Sequence, residues 1–324
     1  MQEYHSIVGG SSVTLGRNIL ILGAEDVDRL LDAATCVAAV EAAFRTRGPT
    51  AVLGVHVPGG GFHVKAAASP DFQYFVAKIN ANFPGNPDRH GLPTIQGTVT
   101  LFDGHTGVPL AIMDTVRITA LRTAAASAVA AKYLARPGAS RLAVIGCGVQ
   151  AGPHVDAIRA VRAISHVRLF DTNQARAHAL AEVVGAEVCD SVVSATRGSD
   201  IVVTCTPSRG PILGRGDVSP GTFIAAVGTD NEHKQEIAPT LMAEAKVVVD
   251  LLEQCVAMGD LRGAIAAGAM RPGDVHAELA DVISGSRPGR STEDEIIVFD
   301  STGVAFEDVA AAAAVYERSR RSTG

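Results

Sequence analysis

The stretch from Arg141 to Asp171 constrains this chain more than any other. An apolar run, Leu142–Ile145, leads directly into Gly146-Cys147-Gly148-Val149-Gln150-Ala151, and a helical pattern over Pro153–Ala163 follows. A second β run, HVRLFD, ends on Asp171, about 20 residues beyond the loop. In such a strand–loop–helix turn the first glycine takes the tight bend. The second lets backbone approach a pyrophosphate, and a small third residue lets helix pack on strand. The helix start presents free N–H groups and the positive end of its dipole to phosphate. An acid ending the next strand accepts hydrogen bonds from ribose hydroxyls. Gly146, Gly148, Val149, Gln150, Ala151 and Asp171 therefore read as a dinucleotide site.

Beyond the loop the alternation continues: a helical pattern over Gln174–Val184, then the β runs DIVVTCT, TFIAAVG, KVVVDL and EIIVFDS. Strands alternating with helices predict βαβ units and a parallel sheet covered on both faces. With aromatics at 4% and no Trp, the core must be built from Ala, Val, Leu and Ile. The chain is α/β, and its 324 residues suggest two domains. A Rossmann domain is expected over 126–303.

The first 125 residues have a different rhythm. Residues 25–48 have helical spacing, with Leu30, Val37, Val40 and Phe44 as one stripe and Gly48 as the stop. From 51 to 114, AVLGVHVP, GFHVKAAAS, YFVAKINANF, TVTLFD and PLAIMD are short β runs at hairpin spacing, predicting an antiparallel or mixed sheet. Thr119–Leu134 and Phe306–Arg320 read as Ala-rich helices. An N-terminal α+β domain, 1–125 completed by the helix in 304–324, follows from this pattern.

Several classes are set aside. Net charge is −6 with both signs interspersed and no basic stripe, which points away from nucleic acid. No apolar run reaches transmembrane length, and the opening MQEYHSIVGGSS lacks the pattern of a signal peptide. Five widely spaced cysteines, 36, 147, 189, 205 and 255, form neither a CxxC nor a His/Cys cluster. They read as reduced thiols in a cytoplasmic protein, with no metal site.

Four segments in order, Lys78-Ile79-Asn80, ITALRTAA over 118–125, Ile145 to Gln150, and Phe299-Asp300-Ser301-Thr302-Gly303, resemble the ornithine cyclodeaminase/mu-crystallin family across roughly residues 25–318. The resemblance implies NAD as cofactor, NADP being possible, and hydride transfer at a carbon that bears nitrogen and neighbours a carboxylate. The expected activity is an amino-acid dehydrogenase or ketimine reductase acting on a small amino, keto or imino acid. A cyclodeaminase that recycles its cofactor, or a ligand-binding protein like mu-crystallin, are the alternatives. The resemblance also implies a homodimer formed through the N-terminal sheet.

A carboxylate substrate needs fixed cations. Lys78, inside an apolar β run, matches the family's active-site lysine, although such a Lys also suits the solvent face of a strand. Arg122 matches the arginine placed on the substrate carboxylate or close to the cofactor, and Thr123 beside it is a candidate for phosphate or ribose. Asp230 follows the strand TFIAAVG, where the family has an acid proposed to handle protons at nitrogen or water. Lys234 and Glu236 read as solvated loop charges. Asp300 and Thr302, at another strand end, are expected to line the nicotinamide pocket, and Thr204, Thr206 and Pro207 to pass beneath the nicotinamide ribose. The chain departs from the cyclodeaminases in two ways. It has no Arg between 48 and 88, and His63 stands where ornithine cyclodeaminase has an acid. Lys65 replaces the family's usual Met and can supply the missing cation, since His63 and Lys65 alternate onto one strand face.

Overall fold

The computed structural model describes residues 19–322. The opening segment read above for a leader lies outside the described residues. Six strands form the first sheet: β1 (Leu20–Leu22), β2 (Thr50–Val57), β3 (Gly60–Ala68), β4 (Tyr74–Asn82), β5 (Ile95–Asp103) and β6 (Pro109–Asp114). Strands β2 to β6 are a meander of antiparallel neighbours, and β1 adds to β6 in parallel, so the sheet is mixed.

The period of two decides which side chains share a face. Lys65 lies opposite Lys78, His63 opposite Asn80, and Ala67 opposite Val76. These six face inward, where Ala67, Val76 and Lys78 are buried. The alternate residues, Leu53, Val55, Phe62, Ile79 and Phe75, face outward and are exposed.

Ten strands follow: β7 (Arg141–Ile145), β8 (His166–Phe170), β9 (Glu187–Val188), β10 (Ile201–Thr204), β11 (Arg209–Leu213), β12 (Phe223–Ala226), β13 (Gln235–Ile237), β14 (Lys246–Val249), β15 (Ala277–Glu278) and β16 (Ile297–Asp300). Eight of them make an all-parallel sheet in the order β15-β14-β16-β12-β10-β7-β8-β9, while β11 and β13 pair separately. Successive residues of its central strands enter different cores: Val144, Val203 and Phe223 one, Ala143, Val202 and Ile224 the other. This is the doubly covered α/β sheet that the alternation predicts.

The helices are α1 (Ala24–Leu30), α2 (Ala33–Thr46), α3 (Asn86–His90), α4 (Thr115–Leu134), α5 (Ala151–Val161), α6 (Gln174–Val184), α7 (Val192–Thr196), α8 (Pro239–Glu244), α9 (Leu252–Ala257), α10 (Asp260–Ala266), α11 (Leu279–Ser284) and α12 (Ala305–Ser322). The single helix expected over 25–48 is two. Asp32 breaks it by capping α2, its carboxylate accepting the Thr35 N–H at 2.8 Å. The expected stripe is nonetheless buried.

The boundary drawn between 125 and 126 falls inside α4, one unbroken helix of 20 residues. Fifteen of those residues are buried, seven of them Ala, and small side chains let it pack against α2, α5 and α12 at once. Helix α12 returns from the end of the chain to lie along β2–β5. One apolar core therefore runs from Val76 and Leu101 of the first sheet through α4 to Val144 and Ile297 of the second.

Candidate active site

The glycine loop sits at the carboxyl edge of β7. Gly146 has a φ of +97°, and a Cβ there would lie 2.9 Å from the Cys205 carbonyl, so the bend requires glycine. Gly148 and Val149 are exposed, and a Cβ on Gly148 would meet nothing within 4 Å. Asp171 accepts the Cys147 N–H at 2.7 Å through Oδ2 and the Asn173 N–H at 2.7 Å through Oδ1. Ala151 is fully buried at the start of α5. Gln150 caps that helix without a side-chain bond, and its buried Oε1 has no hydrogen-bond partner. A dinucleotide fits these features: open space over Gly148, an unpartnered acceptor at Gln150, and helix N–H groups facing the loop.

Helix α4 ties this loop to the cation cluster. Ser127 Oγ lies 3.1 Å from His154 Nε2, and His154 Nδ1 donates to the Gln150 carbonyl at 2.7 Å. Burial drives the His154 pKa down to about 4, so the imidazole is neutral and, with Nδ1 protonated, Nε2 accepts from the serine. Arg122 lies five residues before Ser127, about 7.5 Å along the same helix axis.

Lys65, Lys78 and Arg122 come from β3, β4 and α4. Lys65 Nζ donates to the Gly303 carbonyl at 2.6 Å. Lys78 Nζ, 1% exposed as a residue, is 2.8 and 2.7 Å from the two carboxylate oxygens of Asp308, and 3.5 Å from Thr119 Oγ1. The Arg122 guanidinium lies 2.7 Å from Glu307 Oε2 and 3.1 Å from Asp308 Oδ1. Gly303, at φ +76°, gives way to it: a Cβ there would stand 2.3 Å from Arg122 Nη1.

Burial pulls the Lys78 ammonium down to about 7 against the attraction of Asp308. It lowers Lys65 as well, with Arg122 adding repulsion. Burial acts against Arg122 too, but Asp308 and Glu307 outweigh it and hold the guanidinium above its ordinary range. Burial lifts Glu307 to about 7 despite Arg122, whereas Lys78 and Arg122 overcome burial at Asp308 and keep it ionised.

The remaining candidates fall outside this cluster or serve it from behind. His63 is half-buried on the inner face, one pair along from Lys65. Thr123 is buried on α4 beside Arg122. Asp230 is exposed on the loop after β12 and paired with Lys234 at 2.7 Å, so that lysine is a partner rather than a lone solvated charge. Glu236 is not a solvated loop charge at all but fully buried. It accepts from Thr204 Oγ1 at 2.8 Å, Thr206 N at 2.6 Å, Thr206 Oγ1 at 2.7 Å and Gly228 N at 2.8 Å. The hydroxyls of Thr204 and Thr206 thus donate to Glu236, which fixes the orientation of both side chains. Pro207 next to them is exposed.

Asp300 is fully buried at the end of β16. Its buried carboxylate accepts the backbone N–H of Asp260 at 3.1 Å and Leu261 at 2.8 Å, holding the start of α10. Thr302 Oγ1 is bonded to Asp250 at 3.1 Å and to Gln254 at 2.8 Å. Both strand-end residues are thus engaged with neighbouring backbone and side chains. Glu307 and Asp308 escaped the sequence reading, and their only signal is an acid pair set between the apolar Phe306 and Val309.

A glycine loop on a parallel sheet, joined through one helix to a buried cluster of cations, defines a Rossmann-type, dinucleotide-dependent oxidoreductase. A model of the ornithine cyclodeaminase/mu-crystallin family matches residues 17–323, and the chain belongs to that family. It is 38% identical over 309 residues to an alanine dehydrogenase of Archaeoglobus fulgidus, covering 93% of this chain and 95% of that one. Among solved structures it resembles an archaeal alanine dehydrogenase dimer with bound NAD, with a TM-score of 0.89 and 36% identity over 94% and 97% of the two chains. It also resembles the Δ1-pyrroline-2-carboxylate reductase of Thermococcus litoralis in complex with NADH and L-proline, with a TM-score of 0.88 and 31% identity over 94% and 98%.

Proposed function

We propose that this chain is an NAD-dependent imine reductase or amino-acid dehydrogenase for a small 2-imino or 2-amino acid. The observation that carries the reading is the convergence of Lys65, Lys78 and Arg122, from three elements, beside Gly303 at the carboxyl edge of the parallel sheet. Gly146, Gly148, Val149, Gln150, Ala151 and Asp171 would hold the cofactor, which when bound supplies or takes the hydride at the substrate α-carbon.

The chain's own side chains do the rest. Arg122 with Lys65 and Lys78 fixes the substrate carboxylate, and so the face that its α-carbon presents. Asp230, on the loop after β12, exchanges the proton at nitrogen, releasing Lys234 to do so. The unit 1–125, completed by 304–324, binds substrate and dimerises, and 126–303 binds the cofactor. Among the described residues no helix is long and apolar enough to cross a membrane, and the five cysteines are free thiols, which supports a cytoplasmic protein.

The test is a screen of keto acids with ammonia, cyclic imino acids and amino acids, in both directions, with NADH and NADPH. Stoichiometric cofactor turnover supports the reading. Ammonia release without net cofactor change makes the chain a cyclodeaminase, and tight ligand binding without turnover makes it a binding protein. In the active enzyme Arg122→Ala is expected to lower kcat/KM by about 100-fold or more. Arg117→Ala, on a half-exposed side chain paired with Asp28, changes it by less than about threefold. Equal small losses from both would place the carboxylate elsewhere.

A further inference from the structure

Three cations gathered in a buried space repel one another, and here two acids from the end of the chain separate them. Asp308 stands between two of the cations, one carboxylate oxygen 3.1 Å from Arg122 Nε and both within 2.8 Å of Lys78 Nζ. Lys78 belongs to β4 and Arg122 to α4, so Asp308 of α12 joins these two elements, which also meet where Lys78 Nζ reaches Thr119 Oγ1 at 3.5 Å. Its place is fixed by the apolar residues on either side of the acid pair: Phe306 packs edge-on against Phe44 at 5.0 Å, and Val309 is buried.

We propose that Asp308 is a positioning residue of the active site, aligning Lys78 with Arg122 as one anion-binding unit and keeping Lys78 charged so that it can receive the substrate carboxylate. The C-terminal helix is then part of the catalytic apparatus rather than a strap across the first domain. This inference rests on the functional reading above.

The surroundings set the sign of the pH dependence. The charged and titratable groups around this pair are Lys65 from β3, Arg122 from α4, Cys36 from α2, Glu307 from α12 and Asp250 from the loop after β14. Burial, Arg122 and Lys65 all disfavour the ammonium of Lys78, and Asp308 is the first group that favours it. Lys78 binds a carboxylate only when protonated. KM therefore rises as pH climbs through about 7, and removing the Asp308 charge moves that rise to lower pH.

The experiment compares the pH dependence of KM and kcat for wild type, Asp308→Asn, Glu307→Gln and Glu317→Gln, with NADH affinity measured by the cofactor's own fluorescence as a check on folding. Glu317 lies on the same helix and bonds Tyr74, away from the cluster, and its variant is expected to behave as wild type. Asp308→Asn is expected to raise KM by about 30-fold or more at neutral pH and to shift the rise in KM down by about one pH unit, with NADH affinity kept. An unmoved KM profile overturns the proposal, as does a rise that moves with Glu307→Gln but not with Asp308→Asn. If the Asn variant does not fold, Asp308→Glu replaces it. That variant keeps the charge but lengthens its arm, so KM should rise while the pH profile stays in place, and wild-type KM would overturn the proposal. Wild-type enzyme that turns over no amino or imino acid fails the functional reading instead, so the two failures are separable.

Discussion

The carboxylate of Asp171 uses one lone pair of each oxygen on backbone, pinning the glycine loop through Cys147 N–H and the following turn through Asn173 N–H. The side chain remains half-exposed, with acceptor capacity left for a ribose. A 2′-phosphate would meet like charge there, and Thr172, Asn173 and Gln174 bring no cation to answer it. The next arginine along the chain, Arg176, sits in the first turn of α6, beyond the residue that caps it. NADH is therefore expected to exceed NADPH in kcat/KM by about tenfold or more, and Asp171→Ser to narrow that ratio. A wild-type preference for NADPH, or an unchanged ratio in the variant, would mean that Asp171 does not set the choice. The residues that a sequence shows well are those whose chemistry clashes with their neighbours: glycines in an apolar strand–helix join, Lys78 in an apolar strand, Arg122 among alanines. Glu307 and Asp308 clash with nothing, because acids in the first turn of a helix are ordinary. Their burial exists only once α12 docks on the first sheet, which no local pattern specifies.

At the scale of elements, the parallel sheet organises its carboxyl edge with acids turned inward. Asp300 at the end of β16 holds α10. Asp260, in the first turn of α10, accepts the backbone N–H groups of Glu236 and Ile237, each at 2.8 Å, and so holds β13. Asp250 after β14 accepts Thr302 N–H and Gly303 N–H, each at 2.7 Å, and so fixes the glycine beside Arg122. Each carboxylate replaces a missing backbone partner where a strand stops or a helix starts. Asp300→Ala is therefore expected to destabilise the fold by about 2 kcal/mol, seen as a lower denaturation midpoint, with substrate KM unchanged in the folded fraction. A large KM effect at unaltered stability would return Asp300 to the pocket. The elements themselves were legible where periodicity was long. The α6 boundaries agree with the reading to the residue, and the β2–β6 meander follows its alternation. The break between α1 and α2 was not, because one Asp serves equally as a surface helix residue or as a cap. Strands of two or three residues such as β1, β9 and β15 carry too little pattern and exist through their neighbours.

At the scale of the molecule, the two faces of β3 and β4 have opposite fates. The inward face is closed by α12 and holds the cations, while the outward face leaves Leu53 at 59%, Val55 at 45%, Ile79 at 45%, Phe62 at 38% and Phe75 at 37% exposure. Four of them lie side by side across β2, β3 and β4, since Val55 pairs with Phe62, Leu53 with Val64, and Val64 with Ile79, and Phe75 stands on the same face four residues along β4 from Ile79. A contiguous apolar face of this kind on a folded chain marks an interface. Dimerisation through the N-terminal unit, proposed above, would set a second copy of the chain against this face. An isologous pairing would set the two sheets face to face, about 10 Å apart, and bury the five side chains together. A charge at the centre of such an interface is desolvated without a partner on either side of the symmetry axis. Leu53→Asp combined with Ile79→Asp is accordingly expected to halve the mass seen by light scattering. Because Ile79 points away from Lys78 across the strand, NAD affinity of the resulting monomer should stay within about threefold of wild type. A wild-type monomer, or a dimer that survives both substitutions, would show that this face is not where two copies meet.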